Sequence, residues 1–261
     1  MDIIVCLKQV PNTAKVKMNQ DGTLLRAGVP SILNPYDHFA LAKALEIKKQ
    51  TEAKIKVLSM GPAQASEVLR LALALGADEA YLLCDRAFAG SDTWATSYAL
   101  SCAVKKLAPF DLVLCGQMAI DGDTAQTGPE IAGHLNIPQI TFCTDIEFKN
   151  NILIATKLIE GGHQILEASL PVLITLTTPH NFVLPYPNFT DIFKAQQKPL
   201  FTWTPKDIEA DFAKLGLNGS PTRVVKIYPP APKQKGQIFN LSAEDTASEI
   251  VKILQAKKVI K

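Results

Sequence analysis

Short apolar runs alternate with amphipathic stretches over the first half of the chain. The runs have the length of β-strands, and the stretches between them repeat their apolar residues with the 3.6-residue spacing of a helix. The predicted strands are Asp2–Leu7, Lys54–Met60, Glu79–Cys84 and Leu112–Cys115, and the predicted helices are His38–Gln50, Ala63–Leu75 and Asp92–Leu107. Alternating strands and helices form right-handed βαβ units. The sequence therefore predicts an α/β fold with a doubly wound, mostly parallel sheet.

Two further segments alternate with period two, as exposed hairpins do. Residues 16–25 surround an Asp-Gly pair, which predicts a hairpin inserted before the first helix. Ile152–Leu158 and His163–Ala168 surround a Gly-Gly pair and lead into the apolar run Pro171–Leu176. The sheet is therefore expected to extend beyond residue 140.

The composition changes after Thr178, where prolines become frequent and strand or helix signals become rare. We therefore expect an α/β domain over residues 1–178 and an arm over 179–261, with the sheet continuing near 200–204. A stiff proline segment at 229–233 precedes a helix that Ser242 and Asp245 open in capping-box-like spacing and that runs to about Ala256. An arm that cannot build its own core is predicted to lie on another protein.

Composition and charge narrow the functional classes. The 261 residues carry 27 Lys+Arg against 25 Asp+Glu, a net charge of +2, which argues against nucleic-acid binding. The apolar runs are far shorter than the ~20 residues of a membrane span, and the acidic start is unlike a signal peptide. Five widely spaced cysteines without a nearby histidine pair predict reduced thiols and no metal site. These features are typical of a soluble cytoplasmic protein.

The loop after the fourth strand carries the strongest chemical signal. In an open α/β sheet ligands gather at the carboxyl ends of the strands, and residues 121–128 form a small, hydroxyl-rich loop that opens a helix running to Leu135. Free N–H groups and the positive end of the helix dipole suit a phosphate, to which Thr124, Gln126 and Thr127 add donors. Asp121 and Asp123 would repel phosphate, so we assign them capping or ribose-hydroxyl roles. A capped helix without any ligand fits the same pattern.

Two other loops precede helices, and several catalytic motifs are missing. The loop 34–37 and the loop 90–96 both suit helix initiation, and Trp94 fits either the core or the wall of a ligand site. The chain has no G-x-G-x-x-G after its first strand, no G-x-x-x-x-G-K-[ST] loop and no serine nucleophile elbow, and its four histidines are scattered. No catalytic residue is assigned, and a bound cofactor is expected to carry any chemistry.

Several motifs together resemble the beta subunits of electron-transfer flavoproteins. They are the start 6–11 (CLKQVP), the Asn34-Pro35 loop, 60–64 (MGPAQ), 74–78 (ALGAD) and 118–128 (MAIDGDTAQTG) with Pro138-Gln139 downstream. The match covers nearly the whole chain in order. It implies an adenine-nucleotide alpha-hydrolase-like fold with an extended C-terminal arm, a nucleotide-binding domain over 1–178, and a heterodimer with an alpha subunit.

The resemblance also implies the cofactor and its site. Beta subunits of this family hold AMP in ordinary carriers and FAD in electron-bifurcating members, and residues 92–96 and 216–222 resemble segments of the bifurcating kind. The implied cofactor-binding residues are Cys6, Leu7, Lys8, Asn34, Pro35, Tyr36, Asp37, Met60, Thr93, Thr96, Asp121, Asp123, Thr124, Ala125, Gln126, Thr127, Gly128, Pro129 and Ala132.

The implied activity is flavin-based electron bifurcation. NADH as substrate would give a hydride to the FAD held here, one electron would go uphill to ferredoxin, and the other to the FAD of the alpha subunit. The arm would dock a client dehydrogenase, of acyl-CoA or hydroxy-acid type, through Tyr186 and Phe189. Pro185 stands where this family often has arginine. Two alternatives remain open: a non-bifurcating carrier with structural AMP, and a stand-alone ATP-binding regulatory module.

Overall fold

The structure of the chain is a computed structural model that describes residues 1–12, 17–18, 24–25, 30–149, 152–179, 181–183, 185–225, 236 and 238–260. Spatial contacts divide the chain into two units, Met1–Lys226 and Ile227–Lys261.

The first unit alternates strands and helices. Its strands are β1 (Asp2–Cys6), β2 (Gln9–Pro11), β3 (Lys17–Met18), β4 (Leu24–Leu25), β5 (Ser31–Leu33), β6 (Lys54–Met60), β7 (Glu79–Leu83), β8 (Leu112–Gly116), β9 (Gln139–Lys149), β10 (Ile152–Ile159), β11 (Gly162–Ala168), β12 (Val172–Leu176) and β13 (Leu200–Trp203). Its helices are α1 (Pro35–Thr51), α2 (Ser66–Leu75), α3 (Thr93–Lys106), α4 (Thr127–Leu135), α5 (Phe189–Ala195) and α6 (Gly216–Gly219).

The central sheet has nine strands in the order β11-β10-β9-β12-β8-β1-β6-β7-β13. Seven neighbouring strands run parallel, in the order β9, β12, β8, β1, β6, β7 and β13. Strand β10 pairs antiparallel with both β9 and β11. After β1 the chain adds β6 and β7 on one side of β1 in the sheet, and it then adds β8 and β12 on the other side of β1. The strand order therefore reverses between β1 and β8, the place at which folds of this class bind ligands.

Helices cover both faces of the sheet. Leu41 of α1 and Leu69 of α2 pack in one core layer together with Ala195 of α5. Leu100 of α3 and Ile131 of α4 pack in a second layer on the opposite face. The doubly wound, mostly parallel α/β fold predicted from the apolar pattern is confirmed.

The element boundaries follow the predicted ones closely up to Leu135, and β10, β11 and β12 also form as predicted. The short strands β3 and β4 pair antiparallel, with Lys17 opposite Leu25, as the hairpin prediction requires. The turn of that hairpin and the proline segment 229–233 lie outside the described residues.

Several elements were not predicted: the short strands β2 and β5, strand β9, and helices α5 and α6. In β9 polar and apolar residues alternate from 145 to 149, but the alternation is interrupted at Cys143 and Thr144, where Phe142 has a φ of +58° and the register shifts against β12. Helix α5 lies in the segment that we expected to be irregular. It has only seven residues, too few for its apolar spacing to predict a helix. Residues 179–225, assigned from the sequence to the arm, thus add helices α5 and α6 and the edge strand β13 to the first unit.

Among its described residues, 236 and 238–260, the second unit contains one helix, α7 (Ala243–Ala256). The Ser242 hydroxyl accepts a hydrogen bond from the Asp245 N–H at 3.1 Å, which confirms the predicted helix start. None of the described residues of this unit is buried. Over the part of the chain that is described, no helix combines the length and the apolar character needed to cross a membrane.

Candidate functional site

A cavity of about 390 Å³ opens at the carboxyl ends of β1, β6 and β8, where the strand order reverses. Its floor is formed by strand-end side chains, and the loops that follow the strands form its walls. The lining residues include Cys6, Leu7 and Lys8 after β1, Leu58 and Met60 on β6, Thr93 and Thr96 on α3, Cys115 to Ala119 after β8, and Gly122 and Thr124 to Gly128 at the start of α4. Position in the fold alone makes this cavity the candidate ligand site.

A buried carboxylate ties the two strands at the reversal point together. Asp37, on the first turn of α1, accepts hydrogen bonds from the backbone N–H of Lys8 at 2.8 Å and of Gly116 at 3.1 Å. Only 7% of Asp37 is exposed. Burial raises the pKa of this carboxyl to about 7, against the opposing effect of its hydrogen bonds. Asp37 therefore bridges the ends of β1 and β8 and shapes the cavity from behind.

Asn34 holds the neighbouring loops in the same way. Its amide donates to the carbonyl of Met118 at 2.8 Å and accepts from the N–H of Ile120 at 3.2 Å. Its own backbone N–H donates to the Lys8 carbonyl at 2.9 Å. Since Asn34 is fully buried and its side chain is occupied at both ends, it supports the loop after β8.

Two glycines allow close packing around this support. A Cβ on Gly116 would lie 2.4 Å from Oδ1 of Asp37 and 2.7 Å from its backbone nitrogen, so α1 can approach β8 only because residue 116 is glycine. A Cβ on Gly128 would lie 2.6 Å from Cγ2 of Thr175. Gly128 thus lets α4 pack against β12, which is a contact with protein and independent of any ligand.

The loop that opens α4 lines the cavity and has an irregular backbone. Asp123 and Ala125 adopt left-handed φ values of +50° and +54°, and Gln126, the next residue, is right-handed. A helix supplies no acceptors for the N–H groups of its own first turn, and no described residue accepts from those of Thr127 and Gly128. Unpaired N–H groups at the start of a helix suit an anion.

Lys8 brings a positive charge to the same rim. Its ammonium lies 2.7 Å from Oδ1 of Asp121 and about half of its side chain is exposed. The ion pair joins the loop after β1 to the loop after β8 across the mouth of the cavity. Because exposed pairs contribute little to stability, Lys8 is free to exchange Asp121 for another anion at low cost.

The two segments singled out by the family resemblance meet at the N-terminus of α3. Asp92 caps this helix by accepting from the Ala95 N–H at 3.1 Å. The other oxygen of Asp92 accepts from the N–H and the hydroxyl of Thr222, both at 2.8 Å. The Asp92 N–H donates to the Ser220 hydroxyl at 2.8 Å. Residues 216–222 are therefore fastened beside Thr93 at the cavity wall.

The contact between α3 and α4 contains partly satisfied polar groups. The Thr93 hydroxyl lies 3.2 Å from Oε1 of Glu130 and 3.3 Å from the Gln126 side chain. Burial raises the pKa of Glu130 and lowers the pKa of His134, one turn later, so it favours the neutral form of both groups. Trp94 stays half exposed and packs on the His134 ring at 4.5 Å between centroids. Trp94 thus lies at the surface of the α3–α4 contact and is not a core residue.

Two cysteine thiols meet on the cavity floor. Cys6 and Cys115 end the neighbouring strands β1 and β8, and both are buried. Their mutual hydrogen bond, followed by burial, raises the pKa of the Cys115 thiol.

The cavity gathers most of the residues predicted to bind the cofactor, but not all of them. Cys6, Leu7, Lys8, Asp37, Met60, Thr93, Thr96, Thr124, Ala125, Gln126, Thr127 and Gly128 line it. The other predicted residues lie near the cavity without lining it. Pro35 and Tyr36 begin α1, and Asp121 forms an ion pair with Lys8. Asp123 lies in the loop before α4, and Pro129 follows Gly128 in that helix. Asn34 and Ala132 are fully buried beside it. The predicted set missed other lining residues, among them Leu58, Gly116 and Ile131, although a glycine that ends a fully buried strand is itself a signal of close approach.

The residues predicted to dock a partner lie on the surface of the first unit. Phe189 begins α5 with 92% of its area exposed, and Tyr186 precedes the helix with 79% exposed. Aromatic side chains left this exposed are typical of interaction surfaces.

Comparison with known proteins places this architecture in a family. A family model described as "Electron transfer flavoprotein domain" matches residues 21–208. The chain is 46% identical to the "Electron transfer flavoprotein subunit beta" of Thermoanaerobacterium thermosaccharolyticum and also 46% identical to that of Clostridium acetobutylicum. It is 44% identical to the "Caffeyl-CoA reductase-Etf complex subunit CarD" of Acetobacterium woodii. All three alignments cover the whole of both chains. The chain therefore belongs to the electron transfer flavoprotein family, among its beta subunits.

Proposed function

We propose that this beta subunit binds FAD in the cavity between β1, β6 and β8 and uses it for NADH-dependent electron bifurcation within a heterodimer. The observation that carries the proposal is the set of unpaired N–H groups at the start of α4, which faces a cavity at the point where the strand order reverses. The resemblance of residues 92–96 and 216–222 to bifurcating members favours FAD over AMP.

The residues present fit an adenine nucleotide with a diphosphate. Donors for an anion come from the N–H groups of Thr127 and Gly128 and from the Lys8 ammonium. Pro129 has no N–H, so the first turn of α4 offers two free backbone donors. Apolar lining from Leu58, Met60 and Ile131 suits a planar ring. In this arrangement Thr124, Gln126 and Thr127 would hold phosphate oxygens, and Asp121 or Asp123 would accept from ribose hydroxyls.

The wall formed by α3 is the proposed place for the flavin ring or the nicotinamide. Thr93 and Thr96 line the cavity, and the hydrogen bonds from Asp92 to Thr222 hold residues 216–222 against this wall. When bound, a flavin accepts a hydride from NADH and can release the two electrons one at a time. This chain would position the ring, orient it through Thr93 and Thr96, and exclude water with the 216–222 segment.

The proposed partners follow from the exposed surfaces. Helix α7 exposes Ile250 and Val251 and has no buried residue, which supports a binding surface for the alpha subunit. Tyr186 and Phe189 would dock a client dehydrogenase of acyl-CoA or hydroxy-acid type, an assignment supported by the relative named as part of a caffeyl-CoA reductase complex. Ferredoxin would accept the electron that goes uphill.

An ordinary carrier with AMP in the same cavity is the second candidate. It needs only the α4 donors and gives residues 216–222 no role. The membership of the chain among the beta subunits argues against the third possibility, a stand-alone ATP-binding module.

The test uses the heterodimer purified with its alpha subunit. Heat denaturation releases bound nucleotide, which chromatography then identifies; we expect two FAD per heterodimer and NADH-dependent reduction of ferredoxin that requires the client dehydrogenase. One FAD and one AMP, with no ferredoxin reduction, would establish the carrier and refute bifurcation. Absence of any adenine nucleotide beyond the FAD of the alpha subunit would refute the site itself.

A further inference from the structure

Helix α5 presents an apolar face to solvent. Phe189, Ile192 and Phe193 follow the i, i+3, i+4 spacing that places side chains on one side of a helix. Their exposed fractions are 92%, 44% and 71%. These three residues, called here the α5 face, therefore form a continuous apolar surface that extends the docking position of Phe189 by one helical turn.

The α5 face does not hold the helix in place. A helix of seven residues is not stable by itself in water, so α5 depends on contacts with the rest of the unit. Asn188 caps its start by accepting from the Asp191 N–H at 2.9 Å, and Ala195 at its end is buried against the core layer that contains α2. Of the apolar side chains that ordinarily anchor such a helix, Phe189 and Phe193 are mostly exposed and only Ile192 is more than half covered.

Two cations fasten α5 to α2 in a reciprocal arrangement. One guanidinium nitrogen of Arg70, on α2, donates to the carbonyls of Ala195 at 2.7 Å and Lys198 at 2.9 Å, at the end of α5. The Lys198 ammonium, beyond the end of α5, donates to the carbonyls of Leu73 at 2.9 Å and Ala77 at 2.7 Å, at the end of α2. Arg70 thus donates to carbonyl groups at the end of α5 and Lys198 to carbonyl groups at the end of α2, where the helix dipole favours positive charge.

We propose that Arg70 and Lys198 are positioning residues for the client dehydrogenase: they fix α5 so that the α5 face is presented in its binding conformation before the partner arrives. The inference rests on the proposed function, since the partner is the client dehydrogenase assigned to Phe189. A surface that is already ordered avoids the entropy of ordering on association, so the two cations strengthen docking without touching the partner. The alternative occupant is a second copy of this chain, which the experiment separates.

The experiment compares heterodimers that carry Arg70→Gln, Arg70→Lys, Lys198→Gln or Phe189→Ala. Lys49→Gln, an exposed position on α1, is the charge-matched control. Hydrogen exchange measures the opening of α5, and the apparent KM for an acyl-CoA dehydrogenase purified from the same cells measures docking. Flavin content and the rate of flavin reduction by NADH report on the nucleotide site.

We expect Arg70→Gln to accelerate exchange of the α5 amides and to raise the KM by about tenfold, the order of effect of a charge-assisted hydrogen bond on a local equilibrium. Lys198→Gln should act in the same direction and Arg70→Lys should recover part of the loss. The kcat at saturating dehydrogenase, the flavin content and the rate of reduction by NADH should stay at the wild-type level. Lys49→Gln should change none of these quantities.

Three results would overturn the inference. Unchanged α5 exchange in Arg70→Gln would show that the cations do not hold the helix, and faster exchange with an unchanged KM would show that the held helix does not serve docking. A Phe189→Ala heterodimer with a normal KM and a lost tendency to self-associate in sedimentation would assign the α5 face to a second copy. None of these results affects the FAD assignment, which the nucleotide analysis tests separately.

Discussion

Replacing Gly116 by alanine tests whether close packing of α1 on β8 shapes the nucleotide cavity. The new Cβ would lie 2.4 Å from Oδ1 of Asp37, 2.7 Å from the Asp37 backbone nitrogen and 2.7 Å from the carbonyl carbon of Tyr36. Two of these neighbours are backbone atoms at the start of a helix, which cannot move as the end of a flexible side chain can. The substitution must therefore push the start of α1 away from β8.

The expected magnitude has two parts. Overpacking a well-packed site typically costs about 1–3 kcal/mol. Displacement also weakens the buried hydrogen bond from the Gly116 N–H to Asp37, for which a loss of about 1–3 kcal/mol is typical. The free energy of unfolding should thus fall by about 2–6 kcal/mol, and the gap between the ends of β1 and β8 should widen.

Gly122→Ala is a matched control in the same cavity. Gly122 also lines the site, yet a Cβ there finds no heavy atom within 4 Å. Denaturant titration of both heterodimers and bound nucleotide after gel filtration measure the two effects. We expect Gly116→Ala to lose stability and nucleotide and Gly122→Ala to keep both. Equal behaviour of the two variants would refute the packing argument.

Two other substitutions test the supports of the site. Burial raises the pKa of Asp37 to about 7, so ionisation of this carboxyl destabilises the fold. Its contribution to the free energy of unfolding is therefore highest below pH ~4, where the carboxyl is neutral, and falls as the pH rises through 7. Asp37→Asn cannot ionise, so between pH 5 and 8 it should lose about 2–3 kcal/mol less stability than the wild type in denaturant titrations, and parallel pH profiles would contradict this. Asp92→Ala removes the α3 cap and the bonds to Thr222, and should cost about 1–3 kcal/mol and accelerate exchange of the 216–222 amides. Asp85→Ala, which removes only the cap of a short turn, should leave those amides protected, and equal exchange in both variants would refute the fastening role.

Local sequence signals were sufficient for the parts of the fold that depend on neighbouring residues. Most strands and helices up to Leu135 have regular apolar spacing, so the pattern predicted them, and α3 also carries the Asp92 cap. The three-residue strands β2 and β5 have no such signal. Strand β9 depends instead on pairing with β12 and β10, which come later in the sequence, and its alternation is interrupted at Cys143 and Thr144. Helix α5 was missed because its seven residues are too few to show a helical period.

The candidate site shows the same division. Residues 121–128 were predicted from composition and position, because a hydroxyl-rich loop after a buried strand is a local feature. The bridging role of Asp37 and the packing role of Gly128 depend on Gly116 and Thr175, which come near only in the folded chain. No spacing along the sequence encodes these contacts, so the resemblance could place both residues at the site without giving their function.

The most direct test of the account is the number of nucleotides bound per heterodimer when charge is added at the start of α4. Thr127→Glu places a carboxylate among the proposed phosphate donors, Thr127→Val keeps the shape without the charge, and Thr202→Glu adds the same charge at an exposed position of the edge strand. We predict that Thr127→Glu loses most of the nucleotide of this subunit, that Thr127→Val loses less, and that Thr202→Glu retains all of it, as measured by chromatography of the nucleotide released on heating. Full retention in Thr127→Glu would contradict the claim that the α4 N-terminus holds the phosphates.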